Sequence, residues 1–322
     1  MTALATAPTA GPRPARTWHA VLRLHRVALI IWAVIFAALS GVLLWAYGPG
    51  ASAARADWRL KCGSHGCGWS SAISSYHLAH AGVEVTIGAI PYVAAVWAGA
   101  VLVGRELESG TAHLSWTQGI SPTRWLATTL AVPAALITAG STVLVLVHRL
   151  LFDAHKVPVT WNWWDDATFT ANGPLAVALP LLGLAVGALA GLLLRRALVA
   201  GGLAFVATAL VATVLSTART DLWPSVTRTG TARFSPPDTA WQLTNGVIVH
   251  GKRVANPEYG HCDGTGTQAK QCLADHGITG YYSVYHPDSH FWPLQLVETG
   301  IVLAVTAAAT AAAFRLLRRR TA

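Results

Sequence analysis

Six long apolar runs constrain the fold of this chain more than any other feature of its sequence. They cover residues 27–47, 83–103, 126–147, 174–194, 198–215 and 294–314. A helix needs roughly 20 apolar residues to cross the hydrocarbon core of a bilayer, and each run approaches or meets that length. The sequence therefore predicts an all-α membrane protein with six transmembrane helices.

The composition supports this prediction and bears on the kind of partner. Of the 322 residues, 53% are hydrophobic and only 11% are charged, whereas soluble domains carry about 25% charged residues. The formal net charge is +9, but the cations lie mostly at the ends of the apolar runs. A nucleic-acid partner is therefore not expected, and anionic lipid headgroups are the expected partners of these cations.

The distribution of Lys and Arg also predicts the orientation and the divisions of the chain. Cations are enriched before the first run, around residues 104–125, at 195–196 and at the C-terminus. With six spans these four places share one side of the membrane, and the side rich in Lys and Arg is expected to be cytoplasmic. Both termini of this multi-pass protein are therefore predicted to be cytoplasmic. Residues 1–16 are predicted to be a disordered tail, and 17–215 a basic amphipathic leader followed by five helices. Residues 216–290 are predicted to form a small extracellular cap with a hairpin at 246–254 and a short helix at 267–276. Residues 291–322 hold the sixth helix and a basic cytoplasmic tail.

The cysteines and most of the clustered aromatic residues fall at the predicted outer face. Disulfides can form there, and pairing within each loop is the simplest connectivity; a zinc site with His65 or His261 is the alternative. The aromatic residues are predicted to form a belt at the membrane interface rather than a ligand cage. The cysteines are Cys62, Cys67, Cys262 and Cys272, and the aromatic residues are Trp58, Trp69, Trp161, Trp163, Trp164, Phe291 and Trp292.

Two sets of polar residues lie in or beside the apolar runs. Glu298, with Gln295 one turn earlier, lies inside the last run, where an ionised carboxylate is costly unless it is paired or hydrated. It is expected either to line a hydrated cavity or to hydrogen-bond a neighbouring helix. His77, His80 and Glu84 share a helical face, which suits a metal site, a proton relay or simply a polar helix end.

A ladder of small residues marks the fourth run. Gly183, Gly187 and Gly191 recur every four residues, so one face of this helix is almost bare backbone. Such a face permits close helix packing, with a neighbour in the same subunit or in another.

Residues 104–125 form a polar island between the second and third runs. Arg105, Glu106 and Glu108 open a predicted amphipathic helix at 104–121, with Leu107, Thr111 and Leu114 on one stripe. Because the helix is tethered closely to two spans, it could transmit force; an inert interfacial loop is the alternative. The chain has no P-loop and no familiar catalytic motif, so any ATP hydrolysis is expected on another polypeptide.

The island also carries a family resemblance. RELESGT at 105–111, followed by WTQ at 116–118 and Arg124-Trp125, resembles the first cytoplasmic loop of ABC-2 type transporter permease subunits, particularly actinobacterial members. YHP at 285–287 and FWPLQLVE at 291–298 resemble the approach to their sixth span. The resemblance covers most of the chain and carries little information on the substrate.

The resemblance implies a half-transporter. Two permease subunits, identical or paralogous, would each be seated on an ABC ATP-binding subunit that binds ATP and magnesium, and this chain itself would bind no cofactor or metal. The leader would be an elbow helix, and the path would run along the dimer interface beside the second and fifth spans. In the coupling helix, Glu106, Glu108, Gly110 and Thr111 would contact the ATPase or shape the helix. The neighbouring coupling positions are Arg105, Leu114 and Trp116.

We therefore expect an exporter permease that performs no covalent chemistry. Its substrate is expected to be amphipathic or apolar, such as a drug, lipid or metabolite, because no ring of charges lines the spans. One alternative is a non-transporting membrane scaffold or sensor whose cap binds a ligand. Another is a proton-coupled carrier that uses Glu298 and the face formed by His77, His80 and Glu84.

Overall fold

Six helices long and apolar enough to cross a membrane dominate the structure, as the sequence predicts. The computed structural model describes Arg23 and residues 25–61, 70–154, 161–255 and 267–321. The tail, most of the leader, and Cys62, Cys67 and Cys262 lie outside these residues. The six candidate spans are Arg26–Lys61, Ser71–Glu108, Pro122–Ala154, Leu175–Leu194, Ala197–Asp221 and Asp288–Thr321.

Two of the spans contain π-helical turns. The first span consists of α1 (Arg26–Trp45) and α2 (Ala51–Lys61), joined by a π-helical turn at Ala46–Gly50 that contains Pro49. The second span begins as α3 (Ser71–Val96) and ends as a longer π-helical segment, Trp97–Gly104. Insertions of this kind are frequent at functional sites in helices, and the longer one leads directly into the polar island.

The remaining helices follow the predicted order. After the second span come α4 (Arg105–Glu108), α5 (Thr111–Thr117), α6 (Pro122–Ala154), α7 (Asp166–Ala171), α8 (Leu175–Leu194) and α9 (Ala197–Ala218). The fifth span ends in a 3-10 turn at Arg219–Asp221, and the sixth opens with one at Asp288–His290. The last two helices are α10 (Thr267–Asp275) and α11 (Phe291–Thr321).

The fourth span, α8, lies at the centre of the bundle. It packs against the second, third, fifth and sixth spans, and most of its residues are buried. The glycine ladder faces the second span: a Cβ at Gly183 would lie 2.2 Å from the carbonyl oxygen of Pro91, and one at Gly187 would lie 2.4 Å from that of Ala95. The close neighbour of the ladder is therefore a helix of the same chain.

Apolar side chains on the outside of the bundle are the expected lipid-facing surface, since lipid tails solvate them as well as protein does. The fifth span contributes many of them. Leu198 is 88% exposed, Leu210 is 63% exposed and Val206 is 61% exposed. This surface is also free to pack against another membrane subunit.

A four-stranded antiparallel sheet lies between the fifth and sixth spans, in the part of the chain where the sequence predicts a small cap with one hairpin. Its strands are β1 (Val226–Gly230), β2 (Trp241–Val249), β3 (Lys252–Ala255) and β4 (Ile278–His286), in the order β1-β4-β2-β3. The predicted hairpin is confirmed as β2 and β3. Its turn places His250 and Gly251 at φ 47° and 77°. We call the end of the bundle that carries this sheet the cap end.

The described part of the cap also contains the predicted short helix, α10. It ends before Gly277, which adopts a left-handed φ of 62°. Cys272 lies on this helix and is not a free thiol. Because the other three cysteines lie outside the described residues, the pairing within each loop stays a prediction.

Candidate coupling helix and buried polar network

The polar island forms two short helices instead of the single predicted helix at 104–121. The chain leaves α4 at Glu108, turns through Ser109 and Gly110, and enters α5 at Thr111. Gly110 makes this break because it adopts a left-handed φ of 77°, a conformation that costs other residues roughly 1–2 kcal/mol. The predicted single stripe is consequently wrong: Leu107 packs against the core, while Leu114 is 61% exposed.

Side-chain hydrogen bonds hold the two short helices together. The hydroxyl of Thr111 donates to the backbone carbonyl of Glu106 at 3.1 Å and lies 3.3 Å from its carboxylate. The Ser109 hydroxyl lies 3.0 Å from that of Thr111. Glu106 and Thr111 therefore shape the break, whereas Arg105 is exposed.

Glu108 connects the island to the fifth span. The backbone N–H of Ala197, the first residue of α9, donates to Glu108 Oε2 at 2.8 Å. The first N–H groups of a helix lack partners within the helix, and an acidic group is favourable at that end. The island is therefore bonded to the fifth span as well as joined along the chain to the second and third.

Trp116 anchors the island to the third span. Its ring makes an edge contact with Trp125 at 5.8 Å between centroids, and His113 packs on it at 4.5 Å. Other exposed residues of the island form a small surface, which we call the docking surface and define as Arg105 on α4 and Thr111, His113, Leu114 and Thr117 on α5.

A buried polar cluster joins the second and third spans near the cap end. His148 is fully buried, and its Nε2 lies 2.9 Å from Oε1 of Glu84. The hydroxyl of Thr168 donates to the same oxygen at 2.9 Å. His148 Nδ1 lies 3.1 Å from Asn172 Oδ1.

An ion pair with buried partners lies beside this cluster. Nε of Arg219 is 2.7 Å from Oε2 of Glu298, and the same guanidinium donates to Oδ1 of Asp166 at 2.6 Å. Its Cζ also lies 4.1 Å from the centre of the Phe169 ring. Glu298 is 2% exposed. Glu298 thus bonds directly to the end of the fifth span, which does not exclude the other expectation, that it lines a cavity.

Gln295 bonds to a different segment. Its amide nitrogen donates to the carbonyl of Phe169, and its Oε1 accepts from the N–H of Leu175 at 3.4 Å. The side chain packs so closely on Gly173 that a Cβ there would lie 2.4 Å from it. Gln295 therefore fixes the turn that precedes the fourth span.

The residues of the predicted face formed by His77, His80 and Glu84 do not share one environment. Glu84 belongs to the buried polar cluster. His80 is buried against the Trp161 ring at 3.9 Å, and neither of its ring nitrogens has a hydrogen-bond partner. No group of three or more potential metal ligands occurs within the described ranges, so this face gives no support to the metal-site hypothesis.

A cleft of about 210 Å³ opens between the second and fifth spans. Val85, Gly88 and Tyr92 form one wall, and Ala212 and Thr213 line the other side. The charged residues Glu84, Asp166, Arg219 and Glu298 border it as well. The cleft thus combines apolar walls with a polar border of three carboxylates and one guanidinium.

Sequence reasoning missed the partners of the membrane carboxylates. The third apolar run ends at 147, immediately before His148, and the fifth ends at 215, four residues before Arg219. The available signal was the requirement that Glu84 and Glu298 be paired, but the predicted outer loops carry eleven Lys and Arg residues, so this requirement does not select the partner. The role of Asn172 had no comparable signal in the sequence.

One comparison with known proteins is informative. A family model described as ABC-2 membrane transporter related matches residues 27–220 of this chain. The match covers the first five spans and includes the polar island, Glu84, His148 and Arg219. No curated protein and no solved structure matches the chain.

Proposed function

Because this multi-pass membrane protein belongs to the ABC-2 membrane transporter related family, we propose that it is the permease subunit of an ATP-driven exporter. ATP and magnesium are bound on a separate ABC ATP-binding subunit, and this chain carries out no covalent chemistry. Both termini and the polar island face the cytoplasm, whereas the cap faces outward. The observation that carries the proposal is the position of the island between two spans, with a hydrogen bond to a third.

Three connections support force transmission by the island. It is continuous with the second span, it leads after a short turn into the third, and Glu108 binds the first N–H of the fifth. The exposed docking surface on α4 and α5 is available to an ATPase. Movement of this surface would therefore be transmitted to three of the six spans.

The cleft between the second and fifth spans supports the proposed path. The exposed apolar side chains of the fifth span give a second permease subunit, identical or paralogous, a surface on which to pack. A substrate that moves beside this surface is amphipathic or apolar, such as a drug, a lipid or a metabolite.

Co-purification with a candidate ABC ATP-binding subunit tests the proposal. We expect a stoichiometric complex whose ATPase activity drives export from vesicles. Arg105→Glu and Leu114→Asp alter the docking surface without removing a hydrogen bond recorded in the described structure. Each is expected to weaken assembly or ATPase stimulation by roughly tenfold, equivalent to about 1.4 kcal/mol.

Arg319→Glu is the matched control, because Arg319 is an exposed cation in the basic tail. It should leave assembly unchanged. If the docking variants assemble and stimulate ATPase activity as the parent does, the coupling role is wrong. Failure of an intact bundle to bind any candidate ATPase would favour the membrane scaffold or sensor, and export driven by a pH gradient without ATP would favour the carrier.

A further inference from the structure

A cavity of about 480 Å³ lies at the cap end, apart from the polar island and from the cleft between the second and fifth spans. It is formed where the end of the third span, the segment before α7, the loop before β2 and the start of the sixth span meet. Its aromatic wall consists of Phe152, Trp161, Trp163, Trp164, Phe291 and Trp292. The volume falls within the range of about 300–1,000 Å³ that is usual for small-molecule sites.

Packing and hydrogen bonds fix much of this wall. The indole N–H of Trp163 donates to the carbonyl of Thr239 in the cap at 2.8 Å, and its ring meets Phe291 edge-on at 6.0 Å. Trp161 stacks against His148 at 5.9 Å. Trp161 and Trp163 are both buried, so these two rings do not form the exposed interface belt expected from the sequence.

The charges around the cavity are unbalanced. Arg149 lies 3.7 Å from Asp153 and over the ring of Trp292 at 4.7 Å, so both its charge and its planar face are engaged within the protein. Asp238 and Asp288 also line the cavity. Within the described residues neither forms a salt bridge, although Asp288 accepts a hydrogen bond from the N–H of Ser289. The cavity therefore combines aromatic faces with two carboxylates that no described cation neutralises.

We propose that this cavity binds an organic cation with an aromatic or apolar body. Aromatic faces attract cations, most strongly where water is excluded, and Arg149 over Trp292 shows that a guanidinium already uses this wall. The positive group of the ligand would lie near Asp238 and Asp288, while its body contacts the tryptophans. Among the described residues that line the cavity, an anion would meet two carboxylates, and the cation there, Arg149, already pairs with Asp153. The site does not require the ATPase partner.

Tetraphenylphosphonium and tetraphenylborate test the charge requirement, because they have nearly the same shape and opposite charge. Each is dialysed separately against the purified protein in nanodiscs of zwitterionic lipid, and binding to empty nanodiscs is subtracted. We expect saturable binding of tetraphenylphosphonium with one site per chain. Tetraphenylborate should not bind saturably. Equal saturable binding of both ions, or no saturable binding of the cation, would overturn the proposal.

Substitutions locate the binding to this cavity. Asp238→Asn combined with Asp288→Asn should weaken tetraphenylphosphonium binding by roughly five- to tenfold, as expected for two partly exposed charge pairs. When Trp292→Leu is added to this double variant, it removes part of the aromatic wall and should weaken tetraphenylphosphonium binding further. Asp275→Asn is the matched control because Asp275 is an exposed carboxylate on α10 that does not line the cavity.

Because Asp238 and Asp288 are exposed, their amides should leave the unfolding temperature unchanged, which is measured on the same samples. Parent-like affinity in the double variant would place the cation elsewhere and refute the assignment. If the double variant is unstable, the two single variants replace it, and each must weaken binding for the proposal to stand.

Discussion

Arg219 and Glu298 form a two-point ion pair between the end of the fifth span and the sixth. Nε and one terminal nitrogen of the guanidinium lie 2.7 and 3.1 Å from the two carboxylate oxygens, and each residue is 2% exposed. A buried pair of this kind is satisfied only while both partners are present, because each charge compensates the desolvation of the other. It therefore fixes the sixth span against the fifth at the cap end.

Removing the carboxylate of this pair should be strongly destabilising. Among the described residues, Glu298→Gln leaves the buried Arg219 with Asp166 as its one acidic partner. We expect a loss of about 3–5 kcal/mol in the free energy of unfolding. The measurement is SDS-induced unfolding of the protein in detergent. Asp166→Asn is the comparison, because the Asp166 side chain is 76% exposed and its loss should have a smaller effect.

A double replacement separates charge from packing at the same site. Arg219→Met with Glu298→Leu removes both charges and should recover most of the stability lost in Glu298→Gln, since apolar replacements of buried pairs are often neutral. A double variant as unstable as the single one would show that packing, and not the unpaired charge, dominates.

The contact between Glu84 and His148 should show energetic coupling. Both residues are buried, and their side chains meet at 2.9 Å. A double-mutant cycle with Glu84→Gln and His148→Gln, followed by unfolding, is expected to give an interaction energy of about 0.5–3 kcal/mol. A second double-mutant cycle, between Glu84 and the exposed Asp153, is the control. Additive effects at Glu84 and His148 would contradict a direct bond.

The glycine ladder should not tolerate even one methyl group. At Gly187, a Cβ would lie 2.4 Å from the carbonyl oxygen of Ala95 and 2.7 Å from the Cβ of Ala98. Gly187→Ala should therefore lower the free energy of unfolding by about 1–3 kcal/mol through overpacking. Gly202→Ala is the matched control, since Gly202 is helical and a Cβ there meets nothing within 4 Å. Equal stability of the two variants would show that the helices separate readily.

The bond from Glu108 to Ala197 should matter for coupling more than for folding. Glu108→Gln keeps an acceptor for the Ala197 N–H, while Glu108→Leu removes it, and loss of such a cap costs about 1 kcal/mol. We expect ATPase stimulation in the assembled complex to fall more in the Leu variant than in the Gln variant. Parent-like stimulation in Glu108→Leu would argue against transmission through the fifth span.

The helical framework could be predicted because hydropathy and span length act locally. Six apolar runs of nearly sufficient length gave the six spans, and GVIVHGKRV gave the β2–β3 hairpin. The break at Gly110 was missed because an amphipathic period does not show where glycine takes a positive φ. The pairing of β4 between β1 and β2 was missed because it depends on contacts distant in sequence.

The polar network was predicted only in part, for a related reason. Glu84, Gln295 and Glu298 stood out because polar groups in apolar helices are expensive. Their partners lie 64 to 126 residues away along the chain, and the need for a partner does not identify which distant residue provides it. Arg219 lay just beyond a predicted span, so its position resembled that of a solvated loop residue.

The short connection between the fourth and fifth spans has a consequence for biosynthesis. Arg195 takes a left-handed φ of 53°, Arg196 is extended, and α9 begins at the next residue. With so little chain between them, neither apolar helix can remain in water while the other enters the bilayer. We therefore expect the two to insert as one helical hairpin, with the arginine pair retained on the side from which insertion begins.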